Sequence, residues 1–173
     1  MTYQRGGLAV LSPSGVRMKS LSSPSGRVAD VGPLLMRVGI GAAFAYHGWL
    51  KFDGGVANFA GFLDSLNVPL PEVVAWLQVI AEGIGGLLLI AGLLTRFVTL
   101  PLIGIMIGAI LLVKDDLGFI VPDGSPGFSY EIVLLAGLLG LLFIGPGRYS
   151  LDALFGLAGQ AKFVRAAHRP AAA

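Results

Sequence analysis

The chain has 173 residues, of which 55% are hydrophobic and 13% charged, and its mean hydropathy is +0.81. So few charges and 26 glycines exclude an ordinary soluble bundle, and the lack of cysteine excludes disulfides, thiol chemistry and thiolate metal sites. The net charge of +2 and the pI near 9.2 come mostly from basic residues in the two tails, with no aromatic-interleaved patch, which excludes nucleic acid and favours membrane orientation.

Residues 1–30 carry Arg5, Arg17, Lys19 and Arg27 among Ser, Gly and Pro. Their longest apolar stretch, Leu8 to Leu11, is too short for a signal-peptide core, which predicts a retained, disordered basic tail. Four apolar runs follow, each long enough at about 1.5 Å per helical residue to cross, or nearly cross, a hydrocarbon layer of roughly 30 Å. They do not alternate as barrel strands do, so each is read as a helix.

The first span, about 33–52, opens near Pro33 and closes before Asp53-Gly54-Gly55. Phe59, Phe62, Leu63 and Leu66 then recur at helical spacing, which predicts a short amphipathic helix at the interface. Pro69 and Pro71 begin the second span, about 71–94, and Thr95-Arg96 reads as a tight turn that makes spans two and three an antiparallel hairpin. The third span, about 97–114, carries Gly104 and Gly108 as an expected close-packing face and ends at Lys114-Asp115-Asp116. Loop 117–127 leads to the fourth span, about 128–147, which stops at Gly145-Pro146-Gly147. Ser150 with Asp152 reads as the cap of a short helix carrying Leu151, Leu154 and Phe155, and 157–173 is a second basic tail. The expected fold is thus an all-α integral membrane domain over 31–156, a bundle of four transmembrane helices with one interfacial helix in the first outer loop.

Nine Lys and Arg residues, at 5, 17, 19, 27, 96, 148, 162, 165 and 169, fall on one side of these spans, against Lys51 and Lys114 on the other. Both termini are therefore expected in the cytoplasm, with the chain multi-pass in the inner (plasma) membrane. A weak echo between 82–96 and 131–148 would fit two repeated hairpins, but Gly/Leu runs match by chance and nothing rests on it.

The charges inside the spans carry the chemistry. At roughly 100° per residue, Arg37, Gly41, Phe44, Gly48 and Lys51 share one face of the first span, with His47 about 80° to the side. Ala75, Gln78, Glu82, Gly86 and Leu89 form a similar stripe on the second, with Glu82 close to the bilayer midplane. A carboxylate at that depth must be paired, hydrogen-bonded or neutral. Two roles are open for Glu82: a structural ion pair with Arg37, or proton handling together with His47. Lys51, His47, Gln78 and Glu131 can surround one outward-opening pocket with Glu82 at its floor. Lys51 and Glu131 also have simpler readings, as a snorkelling lysine and a first-turn acid. Trp49, Trp76 and Tyr130 read as interface anchors and secondarily as pocket walls. His47 and His168 are the only histidines, so a bis-His haem within one chain is excluded, and no metal or nucleotide motif is present.

With these residues in view, about 32–156 resembles the DoxX family of small four-helix membrane proteins. The similarity lies in LLMRVGIGAAFAYHGWLKF (34–52), FAGFLDSLNVPLPE (59–72), AWLQVIAEGIGGLLLIAGLLTR (75–96) and YEIVLLAGLLGLLFIGPGRYSLD (130–152). Within it Arg37, His47-Gly48, Lys51, Glu82, Gly92 to Arg96 and Gly145 to Arg148 match the family pattern. The resemblance implies a membrane subunit of a redox or sulfur-related assembly, with quinone as ligand and a protein partner. Near the outer end of span three, where the family often has a residue such as His, this chain has Lys114-Asp115-Asp116. The expected function is a quinone-linked oxidoreductase subunit, not catalytic alone. In it His47, Lys51, Gln78, Glu131 and Tyr130 bind the ligand, Glu82 and His47 handle protons, and Arg37 balances Glu82. The rivals are a non-catalytic scaffold for soluble oxidoreductase or sulfur-metabolism partners and, more distantly, a small transporter. A homo-oligomer is left open.

Overall fold

The computed structural model describes residues 30–114, 118–121 and 127–157. The two expected tails lie outside these residues except for Asp30 and Leu157, as do Asp115, Asp116 and Asp123. The described chain forms α1 (Val31–Asp53), α2 (Val56–Ser65), α3 (Pro71–Ala91), α4 (Thr95–Leu112), α5 (Ser129–Ile144) and α6 (Leu151–Leu154). It is all-helical, with no β-strand among the described residues.

Each boundary has a local cause. Pro71 opens α3, where its missing N–H would have had no helical partner. Gly92, at φ 70°, closes the same helix with Gly92 N–H on Leu89 O and Leu93 N–H on Leu88 O, a Schellman ending that needs a left-handed residue. Ser150 caps α6 by accepting from Ala153 N–H at 3.1 Å. The hairpin turn is therefore Gly92-Leu93-Leu94, and Thr95-Arg96, expected as the turn, already belong to α4. The shift follows from the left-handed conformations of Gly92 and Leu94, which end one helix and start the next in three residues.

α1 packs along α3, α3 meets α4, α4 lies against α5, and α5 returns to α1, while α2 rests mainly on α3. The buried core joins Phe44, Leu89, Leu102, Met106, Leu134, Leu138 and Leu141 from these four long helices. On α1 the buried positions are Arg37, Gly41, Phe44 and Gly48. Side chains would hold α1 and α3 apart: a methyl on Gly41 would sit 2.7 Å from Gly86 O, and one on Gly48 would overlap Gly83. These glycines let the two backbones touch and so set the axial register between the helices. Gly104 and Gly108 do not play that part, because a methyl on either would meet nothing within 4 Å. The face expected for close packing is not used within the described chain.

Outward surfaces are apolar. Only 33% of the apolar stretch of α3 and 22% of that of α4 are buried within the chain, and Leu87, Phe97, Val133 and Phe143 are each more than half exposed. A soluble protein would hide such helices; lipid covers them here. α3 and α4 are long enough to span a membrane, and the apolar α5 is somewhat shorter.

Candidate functional site

The helices divide the molecule into two ends: the Asp53 end, where α1 finishes and α5 begins, and the Arg96 end, with the hairpin turn and α6. Toward the Asp53 end a cavity of about 120 Å³ opens between α1, α3, α4 and α5. Its polar wall consists of His47, Lys51, Gln78, Glu82, Tyr130 and Glu131, and its apolar wall includes Phe44, Met106 and Leu134.

Glu82 lies on the buried stripe of α3, with its side chain 2% exposed. Lys51, one helix away on α1, places Nζ 2.5 Å from both carboxylate oxygens, and Gln78 Nε2 donates to Oε1 at 3.3 Å from one turn earlier on α3. A carboxylate in a low-dielectric setting is tolerable when paired and hydrogen-bonded in this way. The Lys51 ammonium also lies 4.8 Å from the centre of the Phe59 ring, so α2 supplies a cation–π contact that holds the lysine against the site. Across the cavity His47 Nε2 and Tyr130 Oη are hydrogen-bonded at 3.2 Å, joining α1 to α5. Glu131, the next residue of α5, pairs with Lys114 at 2.9 Å, and Lys114 also donates to Gly127 O at 2.7 Å.

The expected pair of Arg37 with Glu82 is not formed. Gly48 lies level with Gly83, so Arg37, eleven residues from Gly48, stands about 16 Å away along the axis, beside Gly92 at the Arg96 end. There it is wholly buried and donates to Tyr149 O, and the carboxylate acting on it is Asp152. Asp152 in turn accepts from Leu94 N–H at 2.7 Å and Thr95 N–H at 2.9 Å, capping α4 rather than its own short helix. Trp49 and Trp76 are exposed at the Asp53 end and do not line the cavity.

Three features of this arrangement escaped the sequence reading: Lys114 as partner of Glu131, Phe59 beneath Lys51, and Asp152 as the cap of α4 in place of its own short helix. Lys114 had a signal, as one of only two basic residues flanking the spans at this end. The other two depend on contacts between distant elements.

Chemically, the cavity wall offers one cation, two carboxylates, an imidazole–phenol pair and a carboxamide, with Lys114 bonded to Glu131 from outside the wall. The two Lys–Glu pairs cancel, so the wall suits a ligand that is polar but uncharged. Among the described residues no group of three or more His, Asp or Glu is placed to hold a metal.

The DoxX family profile matches residues 32–115. The chain is 33% identical over 127 residues to "Uncharacterized membrane protein Rv3486" of Mycobacterium tuberculosis, covering 69% of this chain and 78% of that one. It is 36% identical over 107 residues to "Putative oxidoreductase CatD" of Bacillus subtilis (61% and 74%), and 30% identical over 131 residues to "Inner membrane protein YqjF" of Escherichia coli (74% and 95%). No solved structure matches. The match extends along the helices that carry Arg37, His47, Lys51 and Glu82, and the chain belongs to the DoxX family of membrane proteins.

Proposed function

We propose that the four long helices form a transmembrane bundle in the inner membrane with both termini cytoplasmic, and that the bundle is the membrane subunit of an electron-transfer assembly. Its cavity then opens at the outer side and takes the head of a quinone-like ligand. The observation that carries this reading is the charge-balanced polar wall of one small cavity: Lys51 against Glu82, His47 with Tyr130, and Glu131 neutralised from outside the wall by Lys114. A dione is uncharged and offers two acceptor oxygens, which suits donors on opposite walls. The name of the Bacillus subtilis relative agrees with redox chemistry.

Such a ligand supplies the electron-carrying chemistry. The chain supplies the rest: Lys51 Nζ and His47 Nε2 bind and orient the oxygens, Glu82 with Gln78 holds or passes a proton at the cavity floor, and the apolar wall excludes water. No side chain here moves electrons unaided, so a partner protein completes the assembly. Glu82→Gln keeps shape and one hydrogen bond while removing the titratable carboxylate. In native membranes that hold the partner, quinone-linked activity should fall about a hundredfold with assembly intact.

A second reading rests on the same pairs. Ion pairs this well matched also suit a non-catalytic scaffold in which charges only join helices. Full activity in Glu82→Gln with normal assembly would select it.

A further inference from the structure

We propose that the cavity is filled sideways from the bilayer, through the seam between α1 and α5, with the His47–Tyr130 hydrogen bond as its gate. The ligand class is then a lipid-soluble molecule carrying an uncharged polar head. This rests on reading the cavity as a ligand site.

The seam changes character along its length. Toward the Arg96 end the two helices are in close contact: a methyl on Gly137 would overlap Ile40, and one on Gly140 would lie 3.1 Å from Met36 Cε. Further toward the Asp53 end the cavity lies between Phe44 of α1 and Leu134 of α5. Beyond them, His47 to Tyr130 is the one hydrogen bond between α1 and α5 among the described residues. Of the cavity's lining, only these two residues are exposed, Tyr130 at 37%; Phe44, Glu82, Met106, Glu131 and Leu134 are buried and the rest half-buried.

Two of the other seams are held shut. Backbone contact between Gly41 or Gly48 and α3 seals the first, and Lys114, bonded to Glu131 and to Gly127 O, ties α4 to the start of α5. No α3 or α4 residue of the lining is exposed. A single side-chain hydrogen bond at a surface is weak enough to break and reform thermally.

Size points the same way. At about 120 Å³ the cavity, with the seam shut, is smaller than the roughly 150 Å³ engineered pocket that admits benzene, so a six-membered ring enters fully only when the seam parts. An alkyl tail can stay in lipid, along the apolar outer faces of α1 and α5.

The test uses the full chain in lipid vesicles and benzoquinones with alkyl tails of six to ten carbons, read by quenching of Trp49 and Trp76, the only tryptophans. Each quinone is set to the same mole fraction in the membrane. Four added methylenes lower the aqueous concentration by roughly 200-fold, yet with entry from lipid the association rate should stay the same along the series. Tyr130→Phe should raise association and dissociation rates together by about fivefold, whereas His47→Gln, which also removes a ligand-binding nitrogen, should raise the dissociation rate more than the association rate. Association falling with tail length would mean entry from water and overturn the portal while leaving the ligand site standing. Unchanged rates in both variants would overturn the gate. Saturable quenching by none of the quinones would overturn the ligand site itself, and the portal with it.

Discussion

Glu82 is the residue on which most of the account turns, and its partner is Lys51. The sequence places Arg37 and Lys51 on one face of one helix, and a helical wheel discards the coordinate that separates them. That coordinate is axial. It is set by the glycine contacts between α1 and α3, which bring Lys51 level with Glu82 and leave Arg37 beside Gly92. The inward face was thus legible from periodicity, whereas the pairing depended on a register that no residue type announces. Lys51→Met should cost about 3 kcal/mol, the low end for breaking a buried pair, because Lys51 keeps 21% exposure. Glu82→Gln should cost a similar amount, and the double variant less than the two together. Thermal unfolding in detergent reads this cycle; additive losses would mean that the two charges do not interact.

At the scale of elements, the Arg96 end is held by a short helix acting at a distance. α6 has only four residues, yet Asp152 N–H bonds to Gly92 O and the Asp152 carboxylate caps α4 at Leu94 and Thr95. Leu94 sits at φ 51°, a conformation that costs a non-glycine residue about 1–2 kcal/mol, and the two hydrogen bonds that Leu94 and Thr95 N–H donate to Asp152 offset it. Gly92 answers two demands, a left-handed backbone and the space taken by the Arg37 guanidinium. Ser150 as a cap was readable from its place before an apolar turn. Asp152, expected to share that cap, was readable only in part, since its carboxylate accepts from the N–H groups of another helix. Asp152→Ala should lower stability by about 2 kcal/mol and strip hydrogen-exchange protection from the Leu94 and Thr95 amides. Protection unchanged from the parent would refute the cap.

For the whole molecule, the apolar runs made the membrane class and the helical fold legible, because lipid requires internal hydrogen bonding and an apolar exterior. The cavity was legible in part. Six polar residues on three apolar helices had few ways to be buried except toward one another, but Lys114 and Phe59 entered through contacts between elements that periodicity does not encode. The two ends divide the work: Arg37 and Asp152 brace the helices at one, and paired charges line a cavity at the other. The central claim is that this cavity holds an uncharged, lipid-soluble redox molecule. It is tested most directly by mass spectrometry of the organic extract from protein purified in mild detergent, alongside the Lys51→Met and His47→Gln variants. The parent should carry a quinone at close to one per chain, and both variants at least about tenfold less. A folded parent that carries none, or variants that carry as much, would contradict it.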